Sequence, residues 1–129
     1  MQKEERKNLV VKLYNKMRFA KFQAEVKENK DNNSLFVKPV GYTLNPKYIS
    51  NKQYFQIAQL YNFLKENPDL KDEEIREILN SNNKFSFLRK LDKSMPDFIE
   101  ELKLHGPMTI ATTYASRKHI NEQLKKRLP

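Results

Sequence analysis

A chain of 129 residues that is 38% hydrophobic, with eight Phe and six Tyr, can bury a core as one domain and is too aromatic for wholesale disorder. It has no apolar run of bilayer-spanning length, and Met1-Gln2-Lys3-Glu4-Glu5-Arg6 lacks the apolar centre of a secretory signal; with no Cys, disulfides and thiol chemistry are excluded. The net charge of +9 sits at the ends: residues 1–30 hold nine Lys/Arg against four Asp/Glu, residues 111–129 five against one, and the middle is neutral. Terminal arms or helices of this kind suit an anionic surface, either protein or nucleic acid.

In the first stretch Val10, Leu13, Met17, Ala20 and Ala24 recur every three or four residues, which predicts one amphipathic helix. Tyr14, Phe19, Phe22 and Val26 broaden its apolar stripe, Lys12, Lys16, Arg18 and Lys21 lie mostly outside it, and no Pro or Gly interrupts residues 3–27. Residues 28–33 form a polar break. Leu35-Phe36-Val37 and Tyr42-Thr43-Leu44 around Lys38-Pro39-Val40-Gly41 then predict an extended or hairpin piece near 34–44.

Asn45-Pro46 has the form of a helix start, and Ser50-Asn51-Lys52-Gln53 has capping-box spacing. The helix that follows is apolar nearly all round, from Tyr54 to Leu64, so it should be central; Pro68 ends it. A third helix opens at Asp69 to Asp72, with acidic residues massed at its start, and buries Ile75, Ile78 and Leu79. The run Asn80-Ser81-Asn82-Asn83 is a turn. Phe85, Leu88 and Leu91 mark a short fourth helix.

Ser94-Met95-Pro96-Asp97 resembles a second cap, before Phe98, Ile99 and Leu102, and Gly106-Pro107 closes that helix. A last helix is expected from about Ser116 through Ile120, Leu124 and Leu128, while residues 108–114 alternate well enough for either strand or helix. The expectation is one mainly α domain over 1–129, a bundle of about five helices with basic terminal helices.

Catalytic constellations are missing. His105 and His119 have no metal-ligand spacing, two glycines cannot build a phosphate cradle, and no Ser lies in a nucleophile-elbow frame. Asp72, Glu73, Glu74 and Glu77 suit the first turn of a helix better than paired acid–base work. A non-enzymatic protein without metal or cofactor is expected.

Two binding readings remain. The run Leu13-Tyr14-Asn15-x-x-Arg18 in a basic first helix resembles the signature of the mitochondrial LYR-motif family, whose members are small basic three-helix bundles acting as assembly factors or accessory subunits of respiratory complexes. Leu13, Tyr14 and Arg18 match, and Phe63 corresponds to the family's downstream aromatic; Asn15 stands where the triplet has arginine, and residues 28–50 are longer than the usual connection. The likeness covers residues 6–92. It implies an accessory subunit docking into a larger assembly, with Lys12, Lys16, Arg18 and Lys21 facing an acidic carrier protein. It also implies a mitochondrial location, where the chain would otherwise be read as cytoplasmic.

The alternative is a helix-turn-helix over 72–91, of the kind carried by mobile elements, phages or plasmids. Lys84, Arg89 and Lys90 would face nucleic acid, with Ser86 available for bases or phosphate and Arg117, Lys118, Lys125, Lys126 and Arg127 clamping phosphates. Against it, residues 71–92 balance five Lys/Arg with five Asp/Glu.

Overall fold

The computed structural model describes residues 1–18, 45 and 47–127. Among these, six α-helices and one 3-10 turn account for 80% of the residues, and there is no strand. The protein is mainly α, a small helical bundle as the periodicity suggests. The hairpin expected near 34–44, Lys21 and the second half of the first predicted helix lie outside the described residues.

Helix α1 (Lys3–Lys16) carries Glu4 and Glu5 in its first turn and Lys16 in its last, signs that complement the helix dipole. Its buried seam is Leu9, Leu13 and Met17, at fourfold spacing, with Val10 only half-buried at its margin. The helix is shorter than the uninterrupted residues 3–27 suggest. Its last turn tightens where the Met17 N–H is shared between the carbonyls of Leu13 (3.1 Å) and Tyr14 (3.0 Å).

Asn45 makes a single turn where Asn-Pro predicts a helix. Its Oδ1 accepts the Lys47 N–H, and its carbonyl accepts those of Tyr48 and Ile49, which tucks Ile49 into the core. The chain then restarts at α2 (Asn51–Glu66), because Ser50 and Gln53 form the reciprocal capping box: Gln53 N–H to Ser50 Oγ at 3.1 Å and Ser50 N–H to Gln53 Oε1 at 2.9 Å. Helix α2 is central as expected, burying residues from Tyr54 to Leu64 on several faces. Asn67 ends it ahead of Pro68, donating both its N–H and its side-chain amide to the Phe63 carbonyl.

Helix α3 (Asp72–Asn80) buries Ile75, Ile78 and Leu79; Glu74 reaches back to accept the Lys71 N–H at 3.0 Å. A 3-10 turn (Asn83–Phe85) leads into α4 (Ser86–Ser94), where Phe85, Leu88 and Leu91 are fully buried. Ser94 is not the cap of the next helix. It still belongs to α4, and α5 (Phe98–His105) starts after Asp97, whose left-handed backbone (φ 57°) turns the chain without a side-chain cap. Buried Met95 holds this corner and Pro96 prevents α4 from continuing. A short Asp is among the few residues besides glycine that tolerate that region.

Gly106 closes α5 at φ 84°, and Pro107 is the first residue of α6 (Pro107–Arg127), where a missing N–H and a preset φ suit a helix start. The strand alternative for 108–114 is thereby overturned. Ile110, Ala111 and Tyr114 are the buried positions, at helical spacing, against α2 and α5. The buried apolar side chains of all six helices form one contiguous core, each fully buried Leu, Ile or Phe contributing about 1.5–3 kcal/mol.

Candidate nucleic-acid interface

Helix α4 divides cleanly by angle. Phe85, Leu88 and Leu91 point inward, while Ser86, Lys90 and Lys93, at spacings of four and three, form its exposed face. One flank of α4 meets α3, where Asp92 accepts the Arg76 guanidinium at 3.2 Å. The other flank meets α6 at Phe87, whose ring stands edge-on to Tyr114 (5.5 Å, 82°). Next to that contact the Arg117 guanidinium donates to the Ser94 carbonyl at 3.1 Å, and Lys118 Nζ lies 4.6 Å above the Tyr114 ring. Through Phe87 and Ser94, α4 is thus fastened to Tyr114 and Arg117 of α6, with Lys93 and Lys118 the adjoining residues in the chain. Further along α6, Lys125, Lys126 and Arg127 are exposed.

The even charge balance of residues 71–92 does not describe this surface. Asp72 pairs with Lys103 of α5 (3.0 Å), Glu74 is a helix cap and Asp92 is held by Arg76. Lys90 and Lys93 have no ion pair among the described residues. A window count averages charges that the fold separates onto different sides.

Arg89 does not join the exposed face. Its guanidinium turns back into the bend between α3 and α4, donating to the carbonyl of Leu79 (3.0 Å), in the last turn of α3, and to that of Asn82 (2.8 Å), which also accepts the Phe85 N–H. It is a lock on the turn. Lys84 also stands apart, lining a pocket beside Tyr14 and Arg18. Lys93 was not singled out by sequence reasoning, although it continues the Ser86–Lys90 face by one more turn.

The residues of the LYR-like motif are divided. Leu13 and Phe63 are fully buried, so both are packing residues and neither is open to a partner. Lys16 is paired with Glu66 of α2 at 2.8 Å. Lys12 and Arg18 are exposed, and Tyr14 is 36% exposed at the edge of the core. Both histidines are placed on the surface: His105 lies 3.2 Å from Glu101, and His119 Nδ1 is 2.9 Å from the Tyr48 hydroxyl.

That second contact belongs to a clasp between the 45–50 turn and the distal half of α6. Lys47 Nζ sits 2.7 Å from Glu122, and its hydrogen bond holds the Glu122 carboxyl down to about 2 while Lys47 itself is raised. Elsewhere, burial pushes the Tyr54 phenol up. Among the described residues no cluster of acidic residues and histidines is arranged to hold a metal ion, and no helix is long and apolar enough to cross a membrane. The chain matches no known family model, no curated protein and no solved structure.

Proposed function

We propose that this protein binds nucleic acid. Helix α3, its turn and α4 act as a helix-turn-helix, α4 turns Ser86, Lys90 and Lys93 toward the groove, and Arg117 and Lys118 of α6 reach neighbouring phosphates. The observation that supports this is the basic surface where α4 meets α6, on which Lys90, Lys93 and Lys118 have no acidic partner among the described residues. Arg89 contributes by stiffening the bend that sets the angle of α4, so that the exposed face is held ready.

The test is fluorescence anisotropy of labelled duplex and single-stranded oligonucleotides over a range of salt concentrations. Affinity should fall steeply with salt, and Lys90→Gln with Lys93→Gln should reduce the slope of log K against log salt by about two, since each lysine–phosphate contact contributes nearly one. Saturable binding whose slope is unchanged in the double variant would place the contact elsewhere. No binding at low salt would end the reading.

A second reading, docking of α1 into a larger protein assembly as an accessory subunit, is favoured by the exposure of Val11 (51%) beside Lys12, Tyr14 and Arg18. Recovery of a defined set of host proteins, unchanged by nuclease and by salt, would select it.

A further inference from the structure

A pocket of about 190 Å³ opens between the end of α1, the first turns of α2 and the 3-10 turn ahead of α4, lined by Tyr14, Met17, Arg18, Lys52, Gln56 and Lys84. It draws three cations from three separate elements. Arg18 follows the last turn of α1, Lys52 is in the first turn of α2, and Lys84 is in the 3-10 turn. None of the three side chains has an ion pair or hydrogen bond among the described residues. Like charges gathered around one concavity repel, and low-dielectric walls focus their field into it, so the site favours an anion.

Gln56 adds a second, independent signal. It lies one turn beyond Lys52 on α2, is only 9% exposed, and its Oε1 is buried without a hydrogen-bond partner. A buried acceptor left unmatched is costly, and native structures rarely keep one without a ligand or an ordered water to supply the donor. Tyr14 and the buried Met17 complete the wall with apolar surface.

We propose that this pocket binds a compact phosphomonoester carrying a hydroxyl or amino group. The phosphate dianion is met by the planar fork of Arg18 and the point charges of Lys52 and Lys84, the arrangement that suits phosphate oxygens. On binding, the Gln56 amide turns so that its Oε1, sealed from solvent in the free protein, accepts from the donor group. The volume sets the size: it is below the roughly 300 Å³ at which pockets begin to hold drug-sized ligands, so the ligand is a phosphate with only a few further heavy atoms. A nucleic-acid duplex does not enter such a concavity, and the site is separate from the α4–α6 surface.

The experiment is a two-dimensional amide NMR titration at constant ionic strength with three probes: glycerol 3-phosphate, inorganic phosphate and glycerol. Glycerol 3-phosphate should bind saturably, with shifts centred on the amides of residues 14–18, 52–56 and 84. Inorganic phosphate should bind about fivefold more weakly, lacking the donor to Gln56, and glycerol should not bind. Lys52→Gln with Lys84→Gln should weaken glycerol 3-phosphate by about tenfold or more, with unchanged melting temperature because both lysines are exposed. Gln56→Leu should erase the preference for glycerol 3-phosphate while keeping phosphate binding.

Lys90→Gln with Lys93→Gln should change none of this, which separates the pocket from the nucleic-acid reading. The proposal is overturned by an absence of saturable shifts at these amides, or by equal affinity in the Lys52/Lys84 variant. Equal binding of phosphate and glycerol 3-phosphate overturns the role given to Gln56.

Discussion

Helices α1 and α4 have similar local chemistry, an apolar seam at helical spacing with lysines around it, and the fold uses them in opposite ways. In α1 Leu13 is in the core and Lys16 is tied to Glu66 of the neighbouring helix, while Lys12 stays exposed. In α4 the lysines remain outside and unpaired, and the only arginine turns back to lock a bend. Which charges of a basic amphipathic helix stay unmatched after folding is therefore settled by its neighbours. The density of charge in the sequence does not decide it.

Substitutions can break that comparison. Leu13→Ala should produce the largest effect, a loss of about 2–5 kcal/mol from transfer and cavity terms together, read as a shifted midpoint in urea with an unchanged slope. Loss of partner binding at full stability would show instead that Leu13 belongs to a docking surface. Arg89→Lys should come next. One ammonium cannot reproduce the planar fork that reaches both carbonyls, and losing a charge-assisted bond there costs about 1–3 kcal/mol. Amide exchange should quicken first at Ser81 and Asn82. If Arg89→Lys left exchange in the turn untouched but weakened oligonucleotide binding, Arg89 would rejoin the exposed face.

The same contrast explains what could be read from the chain in advance. Features decided within one or two turns were legible: the Ser50–Gln53 box, the Ile75, Ile78 and Leu79 seam, and the stop at Gly106-Pro107. Seven residues at 108–114 fit two periods, and only packing against α2 and α5 chose the helical one. Ser94 had the spacing of a cap, but buried Met95 and the left-handed Asp97 moved the start of α5 downstream.

Of the candidate residues, Ser86 and Lys90 are exposed, as their offset from the Leu88–Leu91 seam implies. The partners that remove Arg89, Lys16 and Asp92 from a surface lie 10, 50 and 16 residues away, and no local pattern announces them. Neither the gathering of Arg18, Lys52 and Lys84 nor the addition of Gln56 has a signature along the chain, because three elements must first be folded together.

The clasp of Lys47 and Tyr48 with Glu122 and His119 has a consequence for the order of folding. Its contacts close loops of 75 and 71 residues, whereas the bonds that join α3 to α4 span 16 residues or fewer. Loop-closure entropy favours short connections early, so the α3–α4 unit should consolidate in the transition state and the clasp should form after the barrier is crossed. In stopped-flow measurements Lys47→Ala should then leave the refolding limb of the chevron in place and modestly raise the unfolding rate. The clasp would act as a late latch that slows the release of the basic end of α6 without directing how the bundle assembles.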